Sequence, residues 1–126
     1  MGDPVEHPAI VVVDDDRDTL NILRRLLDTC IGLHNIISAC TAAEALNQIE
    51  RQAVALVITD YCMPDMNGLQ LTAAIKERDP ETRVVLMTGR PLSDLQEQVC
   101  TPQADYYLAK PFSLTTLERI VYGMLA

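Results

Sequence analysis

Five short runs of aliphatic residues alternate along the chain with segments whose apolar residues recur at helical spacing. The runs cover residues 9–13, 35–40, 55–59, 83–88 and 104–109. A continuous apolar run is typical of a strand that is buried on both faces, as in a parallel sheet covered by helices. Because strands that alternate with helices are joined by crossover connections, the sheet is expected to be parallel. We therefore predict a (βα)5 doubly wound α/β fold with five parallel strands.

The segments between the runs carry the start and stop signals of helices. In the first of them, Leu20, Leu23, Leu26 and Leu27 fall at helical spacing. Residues 41–44 (TAAE) and 93–96 (SDLQ) have the pattern of a capping box, and Ser113 can cap the last helix. Residues 68–78 are predicted to form a helix that ends at the Asp-Pro pair of residues 79–80.

Length and charge limit the classes of function. The 126 residues correspond to one ordinary domain, which we place at residues 9–126 after a loose N-terminal tail of residues 1–8. The net charge of −8 makes nucleic acid and anionic membranes unsuitable partners, and no apolar run is long enough to cross a membrane. The four cysteines match no zinc pattern and indicate reduced thiols. These features predict a cytoplasmic protein.

Polar residues directly follow or end four of the five predicted strands. Asp14–Asp16 follow the first run, Asp60 follows the third, Thr88 ends the fourth and Lys110 follows the fifth. Since sites in open parallel sheets form beyond the carboxyl ends of the strands, these side chains are expected to meet at one rim. Crowded carboxylates with a nearby lysine suit Mg²⁺ and a phosphate group, with a hydroxyl as a further phosphate donor.

Each of these residues also has a simpler explanation when it is taken alone. Asp16 fits the N-cap of the first helix, and Asp60 could be an ordinary turn residue. Lys110 alone would be a solvated charge, and Thr88 an ordinary end of a strand. A single site explains their common position better than four separate explanations do.

The sequence resembles the receiver domains of two-component response regulators over nearly its whole length, from about Ala9 to Leu125. The segment VVVDDD is similar to the acidic pocket of that family, and LVITDYCMPDMNGLQL to the segment around its phospho-accepting aspartate. The segments VVLMT and YYLAKPF are similar to its Thr/Ser and Lys-Pro segments. The resemblance implies the flavodoxin-like strand order 2-1-3-4-5.

The resemblance also implies a role for each matching residue. Asp60 would accept the phosphoryl group. Asp15 would bind Mg²⁺ directly, Asp14 would hold waters of the metal, and the metal ligands would include Asp60 and the main-chain carbonyl of Cys62. Thr88 would bind the phosphoryl oxygen and Lys110 would pair with it.

A switch and its partners are implied in the same way. Tyr107 occupies the position of the family's switch aromatic and would respond to Thr88, and Pro111 would follow a cis peptide bond. A sensor histidine kinase or phosphotransfer protein would supply the phosphoryl group, and a small phosphodonor could replace it. The face formed by the fourth helix, fifth strand and fifth helix would control a partner or form a homodimer. Such a domain catalyses only its own phosphorylation and dephosphorylation.

Some positions of the sequence depart from the commonest residues of the family. Cys62 and Arg90 are predicted to flank the path of a hydrolytic water, so they bear on the lifetime of the phosphoryl group. Gln103 stands where relatives often have glycine.

Two other functions compete with this interpretation. A phosphatase of the haloacid dehalogenase type also uses an aspartate nucleophile with Mg²⁺, but Asp18 stands where the sequence pattern of that family has Thr or Val. A receiver-like module without phosphorylation is the second alternative. Incubation with a small phosphodonor and Mg²⁺ distinguishes the three.

Overall fold

A computed structural model describes residues 8–30, 34–89 and 104–125 and contains five strands and four helices within them. In chain order these elements are β1 (Ala9–Val13), α1 (Arg17–Cys30), β2 (Ile36–Ala39), α2 (Ala42–Arg51), β3 (Val54–Asp60), α3 (Gly68–Arg78), β4 (Arg83–Thr88), β5 (Tyr106–Ala109) and α4 (Leu114–Leu125). The helix labelled α4 is the last of the predicted helices.

The five strands form one sheet in the order β2-β1-β3-β4-β5, and every neighbouring pair is parallel. This order and the predicted doubly wound fold are both confirmed. The chain order reverses direction across the sheet between β1 and β3, so the carboxyl ends of these neighbours flank the point where open parallel sheets place their ligands.

Two apolar cores lie on opposite faces of the sheet. Val11, Val57 and Leu86 point to one face, where α2 and α3 pack, and Ile10, Ile58 and Met87 point to the other. Leucines of α1 and residues of α4 complete this second core, among them Leu20, Leu23, Leu27, Leu117 and Val121. All five residues of β1 are buried, which explains why its sequence is an unbroken apolar run.

The predicted strands, and those predicted caps that lie within the described residues, agree with the structure to within one or two residues. Ser113 caps α4, since its hydroxyl accepts a hydrogen bond from the N–H of Thr116 at 3.1 Å. Thr41 caps α2 as predicted, but the Glu44 carboxylate accepts from the N–H of Cys40 rather than from that of Thr41. The capping box predicted at residues 41–44 is therefore only half formed, because the acidic side chain reaches one residue further back.

Three expectations fall outside the described residues. They are the N-terminal tail, except for Pro8, the helix that was predicted to begin at residues 93–96, and the side chains of Arg90 and Gln103. Within the described part of the chain, no helix has the length and apolar character needed to cross a membrane.

Candidate functional site

Three carboxylates converge at the carboxyl rim of the sheet. Asp14 directly follows β1, and Asp60 is the last residue of the neighbouring strand β3. One carboxylate oxygen from each of Asp14, Asp15 and Asp60 lies within 4.8 Å of the other two. Asp14 is buried, Asp60 is half-buried and Asp15 is exposed. The cluster is thus open to solvent on one side and walled by the sheet on the other.

The surroundings of the Asp14 carboxylate disfavour its negative charge. Its Oδ1 accepts a hydrogen bond from the N–H of Asp16 at 2.9 Å, but its buried Oδ2 has no hydrogen-bond partner. Burial raises the pKa of Asp14, and the neighbouring charge of Asp60 raises it further, against the opposing effects of the Asp16 N–H and Lys110. This buried carboxylate oxygen has no hydrogen-bond donor and lies beside two other carboxylates, so a further cation would be stabilised here.

Lys110 is brought to this cluster by the order of the strands. Its N–H donates to the carbonyl oxygen of Thr88 at 2.8 Å, which fixes the start of the loop after β5. Its Nζ donates to Oδ1 of Asp60 at 2.8 Å and lies 4.0 Å from Oδ2 of Asp14. The peptide bond between Lys110 and Pro111 is cis, as the resemblance implied. One ammonium group therefore lies beside two of the three carboxylates.

The residues present fit Mg²⁺. The cluster offers carboxylate oxygens only, with one side open for water, which is the donor set that this ion prefers. An independent observation that favours a further cation is that Oδ2 of Asp14 is buried without a hydrogen-bond partner, with the Lys110 ammonium 4.0 Å away. Cys62, whose carbonyl was expected to be a further ligand, lies exposed in the loop two residues beyond Asp60.

The two residues predicted to form a switch point to the same face of the sheet. Thr88 is buried at the end of β4, and Tyr107 pairs with Leu86 two residues before it. Because side chains alternate along a strand, Leu86, Thr88 and Tyr107 share one face. The Tyr107 ring is partly buried against the core on this face, whereas its neighbour Tyr106 is exposed.

The loop between β3 and α3 is anchored by residues that the sequence did not mark as functional. The Asp65 carboxylate accepts hydrogen bonds from the N–H groups of Ala42 at 3.1 Å and Ala43 at 3.0 Å, at the start of α2. Asn67 and Gln70 form a reciprocal capping box at the start of α3. The Asn67–Gln70 spacing was a local signal that could have been found, whereas the partners of Asp65 lie more than twenty residues away.

Gly68 fixes the C-terminal end of the same loop, where α3 begins. Its N–H donates to the carbonyl oxygen of Tyr61 at 2.7 Å. A side chain at this position would overlap Leu86 and come within 2.8 Å of the carbonyl oxygen of Asp60. The start of α3 therefore packs directly on the backbone that carries Asp60.

Comparison with known sequences matches residues 10–122 to the family model of the response regulator receiver domain. The response regulator protein FleR of Pseudomonas aeruginosa is 35% identical over 112 residues, which are 89% of this chain and 23% of FleR. The chain likewise spans only 24% and 53% of the length of two further regulators that it matches, the C4-dicarboxylate transport regulator DctD of Rhizobium meliloti and PrrA of Mycobacterium tuberculosis.

Solved structures agree with this match. The signal receiver domain of an HD domain-containing protein from Pseudomonas fluorescens superposes with a TM-score of 0.86 and 28% identity, covering 99% of this chain and 91% of that one. The response regulator TrrA of Thermotoga maritima, solved in complex with Mg²⁺ and BeF, gives a TM-score of 0.80 at 28% identity, covering 94% of this chain and all of that one (100%). The sheet order, the acidic rim with its lysine and these matches lead to one conclusion: the chain belongs to the response regulator receiver domains of two-component systems.

Proposed function

We propose that Asp60 accepts a phosphoryl group from a histidine kinase, a phosphotransfer protein or a small phosphodonor. An Oδ atom of Asp60 would attack phosphorus in line, forming a P–O bond as the bond from phosphorus to the leaving group breaks. The leaving group keeps the electron pair of that bond, so acetyl phosphate would release acetate. The observation that carries this proposal is the position of Asp60 between the other carboxylates and the ammonium of Lys110, 2.8 Å away.

The remaining residues of the rim would position the phosphoryl group and balance its charge. Lys110, which now pairs with Asp60, would pair with a phosphoryl oxygen instead, since it needs to move little to do so. The Thr88 hydroxyl would donate to another phosphoryl oxygen. Asp14, Asp15, Asp60 and the carbonyl of Cys62 would hold Mg²⁺, which when bound would offset the negative charge that the incoming group brings.

The mass of the intact protein after incubation with acetyl phosphate and Mg²⁺ tests the assignment. The wild type is expected to gain one phosphoryl group per chain, and Asp60→Asn none. Asp28→Asn, which changes an exposed carboxylate of α1, is the matched control and should behave as the wild type. A full phosphoryl adduct on Asp60→Asn would contradict the assignment. So would continuous hydrolysis of acetyl phosphate by the wild type at a rate far above the rate at which the phosphoryl adduct itself is lost.

Phosphorylation would be read out through Thr88 and Tyr107. If Thr88 moves toward the phosphoryl group, it leaves space on the face of the sheet that it shares with Tyr107, and the ring could turn inward. This is a shift in the population of two states of the face formed by β5, α4 and the predicted helix between β4 and β5. Through this face the domain would control an output partner or form a homodimer, in the cytoplasm.

Side-chain NMR of Tyr107 with and without beryllofluoride tests this coupling. The ring resonances of the wild type are expected to shift on activation, and those of Thr88→Ala to stay near their resting positions. Tyr106, exposed on the same strand, is the internal control. An undiminished shift of the Tyr107 ring in Thr88→Ala would show that the hydroxyl does not transmit the signal.

A further inference from the structure

A cleft of about 310 Å³ opens between α1 and the edge strand β2, apart from the acidic cluster. It is lined by Arg17, Leu20, Asn21, Arg24, Ser38 and Cys40. Positions 17, 21 and 24 follow one flank of the helix, because residues four and seven apart share a side. Ser38 and Cys40 alternate with Ala39 and so point to the same face of the sheet as α1.

The charge of the cleft is opposite to that of the molecule. The chain carries a net charge of −8, yet none of the residues that line this cleft is acidic and two are arginines. Within the part of the chain that the structure describes, Lys76, Arg78, Arg83 and Lys110 are engaged in ion pairs. Arg17 and Arg24, the arginines of the cleft, are exposed and in none of these ion pairs. Their guanidinium groups are therefore available to an anion from outside the molecule.

The lining also indicates what such an anion would look like. Leu20 is buried and Cys40 half-buried in the apolar core, so the floor of the cleft is apolar. The two arginines stand roughly 10 Å apart along the helix axis, with Asn21 between them. The side chains of Asn21 and Ser38 add hydrogen-bonding groups. An inorganic anion would use the guanidinium groups but leave the apolar floor uncovered.

We propose that this cleft binds a small organic phosphate, with its phosphate on the guanidinium groups of Arg17 and Arg24 and its carbon skeleton over Leu20 and Cys40. Guanidinium groups bind phosphate through paired, charge-assisted hydrogen bonds. The cleft opens next to the carboxyl rim, since Arg17 follows the loop that carries Asp14. This site is distinct from Asp60 and does not require phosphoryl transfer to it.

Backbone NMR titration of the Asp60→Asn protein without Mg²⁺ tests the proposal, because that variant removes the phospho-acceptor. The probes are AMP, glucose 6-phosphate, adenosine and inorganic phosphate. Saturable shifts of the amides of Leu20, Ser38 and Cys40 are expected with at least one organic phosphate, with much weaker binding of adenosine and of inorganic phosphate. Arg17→Gln and Arg24→Gln should each weaken binding by about tenfold or more, as expected for the loss of a charged hydrogen bond.

Arg25→Gln is the matched control, because Arg25 is an exposed arginine on the same helix but lies outside the cleft. Binding by this variant should equal that of its parent. The proposal is overturned if neither organic phosphate binds at millimolar concentration, or if Arg25→Gln weakens binding as much as Arg24→Gln. It is also overturned if adenosine or inorganic phosphate binds as well as the organic phosphates, or if the shifts centre on Asp14 and Lys110.

Discussion

Asp14 and Asp16 are two residues apart, yet their carboxylates do different work. Asp16 is exposed and caps α1, where its carboxylate accepts hydrogen bonds from the N–H of Asp18 at 3.1 Å and from the hydroxyl of Thr19 at 2.8 Å. Asp14 is buried with one oxygen unpartnered, and its pKa is raised chiefly by burial. The Asp16 carboxylate stabilises the helix, whereas the Asp14 carboxylate places a charge where a cation can reach it.

We expect Asp14→Asn to stabilise the metal-free protein by about 1 kcal/mol or more at neutral pH. A raised pKa means that folding disfavours the charged form of Asp14. The charge therefore lowers the free energy of unfolding once the pH exceeds the pKa of the unfolded chain, and it does so fully above the raised pKa of the folded state. The amide can still accept the hydrogen bond from the N–H of Asp16. Urea denaturation at pH 7 measures the gain, and Mg²⁺ should stabilise the variant less than it stabilises the wild type.

Asp16→Asn is the control for that substitution, because asparagine caps a helix about as well as aspartate. It should leave both the metal-free stability and the increment from Mg²⁺ unchanged. Equal effects of the two substitutions would mean that the charge of Asp14 does not lower the free energy of unfolding.

From the sequence alone, neutralising Asp60 would be expected to relieve the same repulsion between carboxylates. The ion pair of Asp60 with Lys110 at 2.8 Å opposes any such gain in stability.

At the scale of the elements, the loop between β3 and α3 is held in its middle and at the end that leads into α3. Gly68 starts α3 against the backbone of Asp60 and Tyr61, and Asp65 ties the middle of the loop to the first turn of α2. The loop also carries Cys62, the proposed carbonyl ligand. The position of that ligand thus depends on contacts with two helices.

Gly68→Ala should destabilise the protein by about 1–3 kcal/mol, the usual effect of overpacking a filled core. The added methyl group would overlap the Leu86 side chain and crowd the Asp60 carbonyl, so either α3 or the site must shift. Gly123→Ala is the matched comparison, since nothing lies within 4 Å of its new methyl group in α4. It should stabilise the protein by roughly 0.5–1 kcal/mol. Thermal denaturation of both variants measures the difference, which would be absent if the start of α3 could relax freely.

Asp65→Ala should weaken Mg²⁺ binding roughly tenfold, in the range seen when supports of metal ligands are removed. Although burial raises the pKa of Asp65, the N–H groups of Ala43 and Ala42 more than offset this effect and lower it below its usual value. The anchor is therefore complete above the pKa of a free aspartate and is lost as the pH falls through that of the folded state. Calorimetric titration with Mg²⁺ tests the substitution, with Asp28→Ala on α1 as control. The protection of the Ala42 and Ala43 amides against hydrogen exchange, taken relative to the rate of an unstructured chain at the same pH, should fall in acid. An unchanged Mg²⁺ affinity would show that the loop needs no anchor.

At the scale of the molecule, the sequence predicted the strands and the rim for a physical reason. Strands buried on both faces must be apolar throughout, which makes them visible as runs, and parallel topology then places their carboxyl ends together. Asp14, Asp60 and Lys110 could be predicted to meet on these grounds. Contacts between distant segments carry no such periodic signal. The anchor of Asp65 on α2 and the ion pair of Lys76 with Asp105, 29 residues apart, therefore appear only in the structure.

The two rims of the sheet balance charge in opposite ways. At the carboxyl rim a cluster of three carboxylates has one lysine beside two of them. At the amino rim, just before β5, the Asp105 carboxylate accepts hydrogen bonds from Lys76 at 2.8 Å and the N–H of Val84 at 2.8 Å, and it lies 3.4 Å from Arg83. Lys76 also donates to the carbonyl oxygen of Thr82 at 2.8 Å. The amino rim thus ties β4, β5 and α3 together, while the opposite rim keeps its charge for function.

This difference predicts how the amino rim responds to acid. Burial raises the pKa of Asp105, but the hydrogen bond from Lys76, the N–H of Val84 and the charges of Lys76 and Arg83 outweigh it, so the pKa lies below its usual value. A lowered pKa means that folding favours the charged form. The resulting stability is present above the pKa of the unfolded chain, about 3.9, and is lost as the pH falls through the pKa of the folded state.

Asp105→Asn should therefore lower the free energy of unfolding by about 1.5–3 kcal/mol at pH 7, the range for a hydrogen bond to a charged group. The loss should shrink as the pH falls, because protonated aspartate and asparagine both lack the charge that Lys76 pairs with. Urea denaturation from pH 7 to pH 3 in the absence of Mg²⁺ measures this convergence, and Asp28→Asn, an exposed carboxylate of α1, should follow the wild type throughout. A loss that stayed constant across that range would mean that Asp105 stabilises the amino rim by its shape and neutral hydrogen bonds, and that the charge contributes nothing.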